Sequence, residues 1–173
     1  MKADNWVLTT SNSKYKTNTG KDLPGSDLML VDFGRSVDLV SLKHTNKDNR
    51  DVRLCGKFAA KDMQCVAMKE ERSWSTEIDT YGLCASSHVL LFGVHMNIQK
   101  ERSSSRWRLQ KTLRRYWQRD LWQNLFDSLL NDESGVSLPA IREPFDKYLA
   151  DKDHQKELIS LLRHQTRLLP NIK

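Results

Sequence analysis

The sequence predicts an α+β fold, mainly α, in which a short β-hairpin precedes a set of helices. Three observations carry this. Apolar clusters at Trp6-Val7-Leu8 and Leu28-Met29-Leu30-Val31 flank a polar connection containing Gly20, Pro24 and Gly25, the pattern of two strands joined by a loop. Tyr81 to Phe92 is apolar almost all round, which predicts a helix buried on every face. Trp117, Leu121, Trp122, Leu125, Phe126 and Leu129 then recur at helical spacing.

Taken in order, Trp6–Leu8 and Leu28–Val31 are the predicted strands and Thr9 to Ser26 the loop between them. The hairpin carries Asn5 at one end and Asp32 at the other, so both side chains can reach one point in space. Lys43 to Arg53 has no apolar period and reads as an exposed, mobile segment. Ser75 and Thr76 are placed to cap the apolar helix, and Glu77 and Asp79 favour the positive end of its dipole. Gly93 ends it. Gln99 to Arg119 is basic, with Trp107, Tyr116 and Trp117 interleaved. Asn131 to Gly135 breaks the next helix. Ser137-Leu138-Pro139 opens another, running to about Leu149. A last helix takes Leu158 through Leu169 and stops before Pro170.

Composition narrows the classes. With 173 residues, 38% of them apolar and 29% charged, the chain suits one domain with a real core. No apolar run is long enough to span a bilayer, and the first residues lack a signal-peptide stretch. Three cysteines form no disulfide framework and point to a reducing compartment. The net charge of +6 permits acidic partners without requiring nucleic acid.

The chemistry-bearing stretch is Leu28 to Gly34, an apolar strand that stops at Asp-Phe-Gly. In protein kinases such a strand end holds magnesium against the ATP phosphates: the carboxylate chelates, the Phe packs below it and the Gly lets the chain turn away. Lys2-Ala3-Asp4-Asn5 upstream and the apolar helix downstream stand in the same order. Further blocks are Gly34-Arg35-Ser36-Val37-Asp38-Leu39, Met63-Gln64-Cys65-Val66-Ala67-Met68, Trp74, Ile78-Asp79-Thr80-Tyr81-Gly82 and Leu91-Phe92-Gly93. Together these resemble the C-terminal lobe of the Bub mitotic-checkpoint serine/threonine kinases, over almost the whole chain and most weakly after Asn131.

The resemblance implies a protein-kinase-like C-terminal lobe over residues 1–173. Residues 1–34 would hold the end of the catalytic loop, the hairpin and Asp-Phe-Gly, 35–73 the activation segment and 74–173 the helical subdomain. It implies ATP and Mg2+ as cofactors, Asn5 and Asp32 as metal ligands, and Lys2 steadying the transferring phosphoryl group. Met63 to Met68 would form a substrate-facing wall, and Asp79 and Gly82 would anchor the buried helix under the catalytic loop. Partners would be protein substrates and checkpoint or kinetochore proteins, in the nucleus at the kinetochore, with no membrane. The departures count too. Met1 falls just after the family's His-Gly-Asp triplet, and the Gly-rich loop and ATP-pairing lysine of the N-terminal lobe are not in the sequence. The chain therefore reads as a kinase domain cut inside its catalytic loop, an enzyme when complete and inactive alone. Ala67 stands where the family has a structural glutamate, and Ala59 to Asp62 replaces a Thr-Ser-Gly type stretch, so the activation segment need not rely on phosphate there. The alternative is a non-catalytic, pseudokinase-like docking module of a kinetochore checkpoint complex.

Cys84 and His88 share a helix face, with His95 beyond, but no second ligand pair stands at zinc-finger spacing, so they read as core. The tryptophans of the basic stretch follow the spacing of a helical core, so it reads as a solvated helix face rather than a nucleic-acid surface. Ser36, Ser41 and Thr45 are hydroxyls near basic residues, and nothing else marks them for phosphate.

Overall fold

The computed structural model describes residues 3–16, 22–34, 36–45, 52–131 and 137–168. The chain divides into two compact units, Met1–Lys111 and Thr112–Lys173.

The first unit opens with a 3-10 turn, Ala3–Asn5, and an antiparallel hairpin of β1 (Trp6–Lys16) and β2 (Asp22–Leu30). The register runs from Trp6 opposite Leu30 to Lys16 opposite Asp22, with a shift between Thr10 and Lys14. Most of the expected Thr9–Ser26 loop is therefore strand. Backbone hydrogen bonds define this two-stranded ladder, and its polar sequence carries no apolar alternation to mark it. Pro24 is tolerated because each strand of such a ribbon has a free edge.

Asp38 starts α1 (Leu39–Thr45): its Oδ1 accepts the N–H groups of Val40 (2.9 Å) and Ser41 (3.2 Å), and its Oδ2 accepts the Ser41 hydroxyl (2.5 Å). These bonds, the Ser41 hydroxyl first, hold the Asp38 carboxyl below the usual carboxylate range. The helix claims the start of the expected mobile segment Lys43–Arg53, and residues 46–51 lie outside the described residues. Its end is tied down. Arg53 donates to Ser73 Oγ (3.0 Å), Ser73 O (2.6 Å) and Glu77 Oε1 (2.6 Å). Leu54 and Trp74 exchange backbone hydrogen bonds (2.7 and 2.9 Å), and the Trp74 indole N–H reaches Gly56 O at 3.0 Å. Phe58 meets Trp74 edge-on with centroids 5.8 Å apart.

A 3-10 turn, Lys61–Met63, leads to the single-turn helix α2 (Val66–Lys69), with Cys65, Ala67 and Met68 buried. The predicted buried helix is α3 (Glu77–Phe92). Thr76 holds its N-cap position without a side-chain cap bond; instead Glu77 Oε2 accepts the Ser75 N–H at 2.6 Å. Gly93 closes the helix at φ 67°, its N–H bonded to Val89 O at 2.8 Å. The helix is not buried all round: Tyr81, Gly82, Cys84, Ser86 and His88 are buried, whereas Leu90 is 81% exposed. The basic stretch departs further from expectation. Instead of a helix face it holds a second hairpin, β3 (Ile98–Lys100) against β4 (Trp107–Leu109), with Lys100 opposite Trp107.

In the second unit, a 3-10 turn, Arg115–Trp117, precedes α4 (Arg119–Leu130), α5 (Leu138–Ala150) and α6 (Lys152–Leu168). Leu125, Phe126, Leu129 and Leu130 are buried on the face that the helical spacing marked, and α5 adds Ile141. Trp122 meets Phe145 edge-on at 5.2 Å. Asp151 caps α6 by accepting the N–H groups of Asp153 (2.9 Å) and His154 (3.2 Å). Leu169 and Pro170, the expected end of the last helix, lie outside the described residues.

Nothing lies within 4 Å of where a Gly93 Cβ would sit, so only backbone strain opposes a side chain there. Gly93→Ala is expected to cost about 1 kcal/mol, read as a lower urea midpoint with unchanged slope. An unchanged midpoint would mean that the left-handed cap does not matter.

Candidate functional site

Asn5 and Asp32 come to the same end of the first hairpin. Asn5 ends the 3-10 turn that packs against α3, and its carbonyl accepts the Val31 N–H at 2.8 Å, one step beyond the Trp6–Leu30 pair. Asp32 follows at once, with its side chain exposed and φ at 63°. Few residues other than glycine hold that conformation, and Asp is among those that tolerate it. Its Oδ1 lies 3.4 Å from where a Gly34 Cβ would stand, so a larger residue at position 34 would crowd the carboxylate. Phe33 does not tuck beneath the acid; it is 62% exposed. Lys2 lies outside the described residues.

The hairpin base is tied to α3 by the Trp6 indole N–H, which donates to the buried Ser86 Oγ at 3.4 Å. Of the two residues expected to anchor that helix, Gly82 is buried and Asp79 is exposed. Sequence reasoning singled out neither Trp6 nor Ser86, since a pairing across 80 positions leaves no local pattern. Asn5 and Asp32 together offer a carboxamide oxygen and a carboxylate, hard donors of the kind that hold a divalent cation beside phosphate.

The expected substrate-facing wall, Met63 to Met68, turns Cys65, Ala67 and Met68 inward. Just beyond it, Glu70 is a charged junction that sequence reasoning passed over. Its Oε1 accepts Lys100 Nζ (2.6 Å) and Trp107 Nε1 (2.9 Å), and its Oε2 accepts Arg72 Nε (3.0 Å) and Nη2 (2.9 Å). Lys100 foremost, then Trp107 and Arg72, pull the carboxyl down to about 2 against the opposing effect of burial.

Cys84 and His88 lie on successive turns of α3. Burial pushes the Cys84 thiol far above its usual range. His88 Nδ1 donates to Val94 O (2.9 Å) and the ring stacks on Phe92 at 4.5 Å, while burial lowers its affinity for a second proton. Among the described residues no group of three His, Cys, Asp or Glu is arranged to hold a metal. Nor is any helix among them long and apolar enough to cross a membrane. A cavity of about 440 Å³ in the second unit, bordered by Arg115, Arg119, Asn124 and Pro144, involves none of the sequence-predicted site residues.

No family model matches the chain. It is 36% identical over 146 residues to the mitotic checkpoint serine/threonine-protein kinase BUB1 of Arabidopsis thaliana, covering 80% of this chain and 27% of that protein. It is 32% identical over 146 residues to the spindle assembly checkpoint serine/threonine-protein kinase bub1 of Schizosaccharomyces pombe, covering 79% and 13%. A crystal structure of the BubR1 kinase domain matches with a TM-score of 0.67 at 32% identity, over 77% of this chain and 39% of that one. The fold is thus the α+β fold of a protein kinase's C-terminal lobe. Within that class the chain is homologous to the Bub-type mitotic checkpoint serine/threonine kinases. It spans between 12% and 27% of the length of these relatives.

Two outcomes follow from the electrostatics and burial. Because the folded state depresses the Glu70 pKa, its contribution is full above an unfolded pKa near 4.5 and fades as pH falls toward about 2. Wild type should therefore exceed Glu70→Gln in unfolding free energy by about 1–2 kcal/mol at pH 7, after allowance for solvent screening, and the gap should narrow below pH 4. A constant gap would show that the carboxylate charge is not the cause. Of the three thiols, only exposed Cys55 should react with a thiol reagent in the native chain, and Cys65 and Cys84 only on unfolding.

Proposed function

We propose that the chain carries the C-terminal lobe of a serine/threonine protein kinase of the mitotic spindle checkpoint. Residues 1–34 form the end of the catalytic loop, the hairpin and Asp-Phe-Gly, residues 35–73 the activation segment and residues 74–173 the helical subdomain. The supporting observation is the base of the first hairpin. There Asn5 and a conformationally strained, exposed Asp32 meet on adjacent steps of the backbone, and the turn that ends in Asn5 packs on α3. The likeness to checkpoint kinases supplies the chemical context.

In this reading Asn5 and Asp32 hold Mg2+, which neutralises charge on the ATP phosphates. Lys2 steadies the γ-phosphoryl group, and the hydroxyl of a protein Ser or Thr receives it. Phosphoryl transfer asks the protein chiefly for positioning and electrostatic stabilisation, so fixing these side chains on one rigid hairpin end is the contribution of this lobe. Substrates and partners are chromatin or kinetochore proteins, and the place of action is the nucleus, at the kinetochore. A catalytic base and a nucleotide-clamping lobe are also needed, and these 173 residues by themselves are expected to be inactive. A second reading, a docking module without catalysis, draws on Ala67, which places an uncharged, buried methyl where the resemblance expects a structural glutamate.

The test is made on the kinase domain with its nucleotide-binding lobe. Mg2+-ATP should raise the melting temperature. Asp32→Asn should abolish that shift and lower turnover at least about 100-fold, with the unliganded midpoint unchanged; Asn tolerates the positive φ as Asp does. Turnover that survives in Asp32→Asn would sink the metal-ligand assignment, and a wild-type domain blind to Mg2+-ATP would favour docking.

A further inference from the structure

We infer that Glu70 is a positioning residue: it fixes the Met63 to Met68 wall, and the 3-10 turn and helix α2 (residues 61–69) that contain it, by clamping them to the β3–β4 hairpin. The role in substrate placement rests on the kinase reading above; the clamp itself does not.

The wall is built of short elements held by local bonds: Gln64 Nε2 donates to Phe58 O (2.5 Å), Met63 N–H to Ala60 O (3.1 Å) and Lys69 Nζ to Lys61 O (3.0 Å). The helix α2 is a single turn of four residues, too short to be stable by itself. Its N-cap residue Cys65 makes no side-chain cap bond. Ala67 carries no charge, and the burial of Cys65, Ala67 and Met68 attracts without direction. Further local ties lie at the C-terminal end. Glu70 N–H donates to Val66 O (3.0 Å), Arg72 N–H donates to Ala67 O (2.8 Å), and Glu71 turns the chain at φ 59°.

The Glu70 carboxylate then does two jobs with two oxygens. Oε2 accepts two charge-assisted hydrogen bonds from Arg72, two residues on. Oε1 takes Lys100 and Trp107 together. Those two residues face each other on one rung of the hairpin, so a single oxygen grips both strands. The side chain is about one-fifth exposed (21%), which leaves little water to compete for these bonds. Glu71 behaves differently: 77% exposed, it pairs with Lys57, on the segment that enters the wall. Adjacent glutamates therefore face opposite ways along the chain, and of the two it is Glu70 that reaches the β3–β4 hairpin.

The test is hydrogen exchange by mass spectrometry on the full chain, wild type against Glu70→Gln and Lys100→Met. Glu70→Gln should speed amide exchange about tenfold or more in residues 61–69 and 98–109, with α3 unchanged. Lys100→Met, which keeps the Arg72 and Trp107 bonds, should give a smaller change in the same segments and serves if Glu70→Gln fails to fold. Unchanged exchange in 61–69 in both variants overturns the clamp, whether or not the protein is a kinase. In a kinase domain that turns over, Glu70→Gln should raise the KM for a peptide substrate about fivefold or more and leave the KM for ATP as it was. A peptide KM that does not move overturns the positioning role.

Discussion

Burial of α3 around more than half of its circumference is the constraint on which the first unit depends. Tyr81, Cys84 and His88 are buried on one side of the helix and Gly82 and Ser86 on another. These buried residues are not purely apolar, and the polar ones set the neighbours in place. Ser86 is buried and takes a hydrogen bond from Trp6, which draws the base of the first hairpin onto the helix. His88 is buried and spends its Nδ1 proton on Val94 O, which fixes the chain just after the Gly93 cap. Both the 3-10 turn that ends in Asn5 and α2 pack against α3, so the candidate metal-binding end and the wall share one support.

That support makes the strain at Asp32 sustainable. A residue other than glycine held at φ 63° costs of order 1 kcal/mol or more and persists only where its surroundings over-determine it. Here the preceding residue is locked to Asn5 by a backbone bond, and the turn after it is closed by Ser36 N–H on Phe33 O at 2.9 Å. An unconstrained loop would relax; these backbone bonds hold Asp32 in its left-handed conformation.

The parts of this arrangement legible in the sequence were those with local signals. The strand ending in Asp-Phe-Gly, the apolar α3 with its glycine stop and the Pro-initiated α5 each carry their own pattern. The long β1 and β2 do not, because their mostly polar sequence carries no apolar alternation. The β3–β4 hairpin hid in a basic run whose tryptophans suggested a helix, and Trp107 sits in a strand. The exposure of Leu90 was invisible to an argument from the mean apolarity of α3. Glu70 was the hardest to see. Lys69-Glu70-Glu71-Arg72 looks like any solvated charge run, and what separates Glu70 from Glu71 is a pair of donors 30 and 37 residues away.

The same pairings bear on how residues 52–73 are held. A phosphate orders such a segment by recruiting basic side chains into new charge-assisted bonds. Here several of those side chains are already engaged. Arg53 is committed to Ser73 and Glu77, Lys57 to Glu71, and Arg72 and Lys100 to Glu70. Lys69 is turned toward Lys61 O at 3.0 Å, and the cost of its burial lowers its pKa. Fixed carboxylates thus stand where an added phosphate would otherwise do the ordering. A phosphate introduced nearby would have to displace a glutamate from its partner, and it would gain only the difference between two anions competing for the same cation.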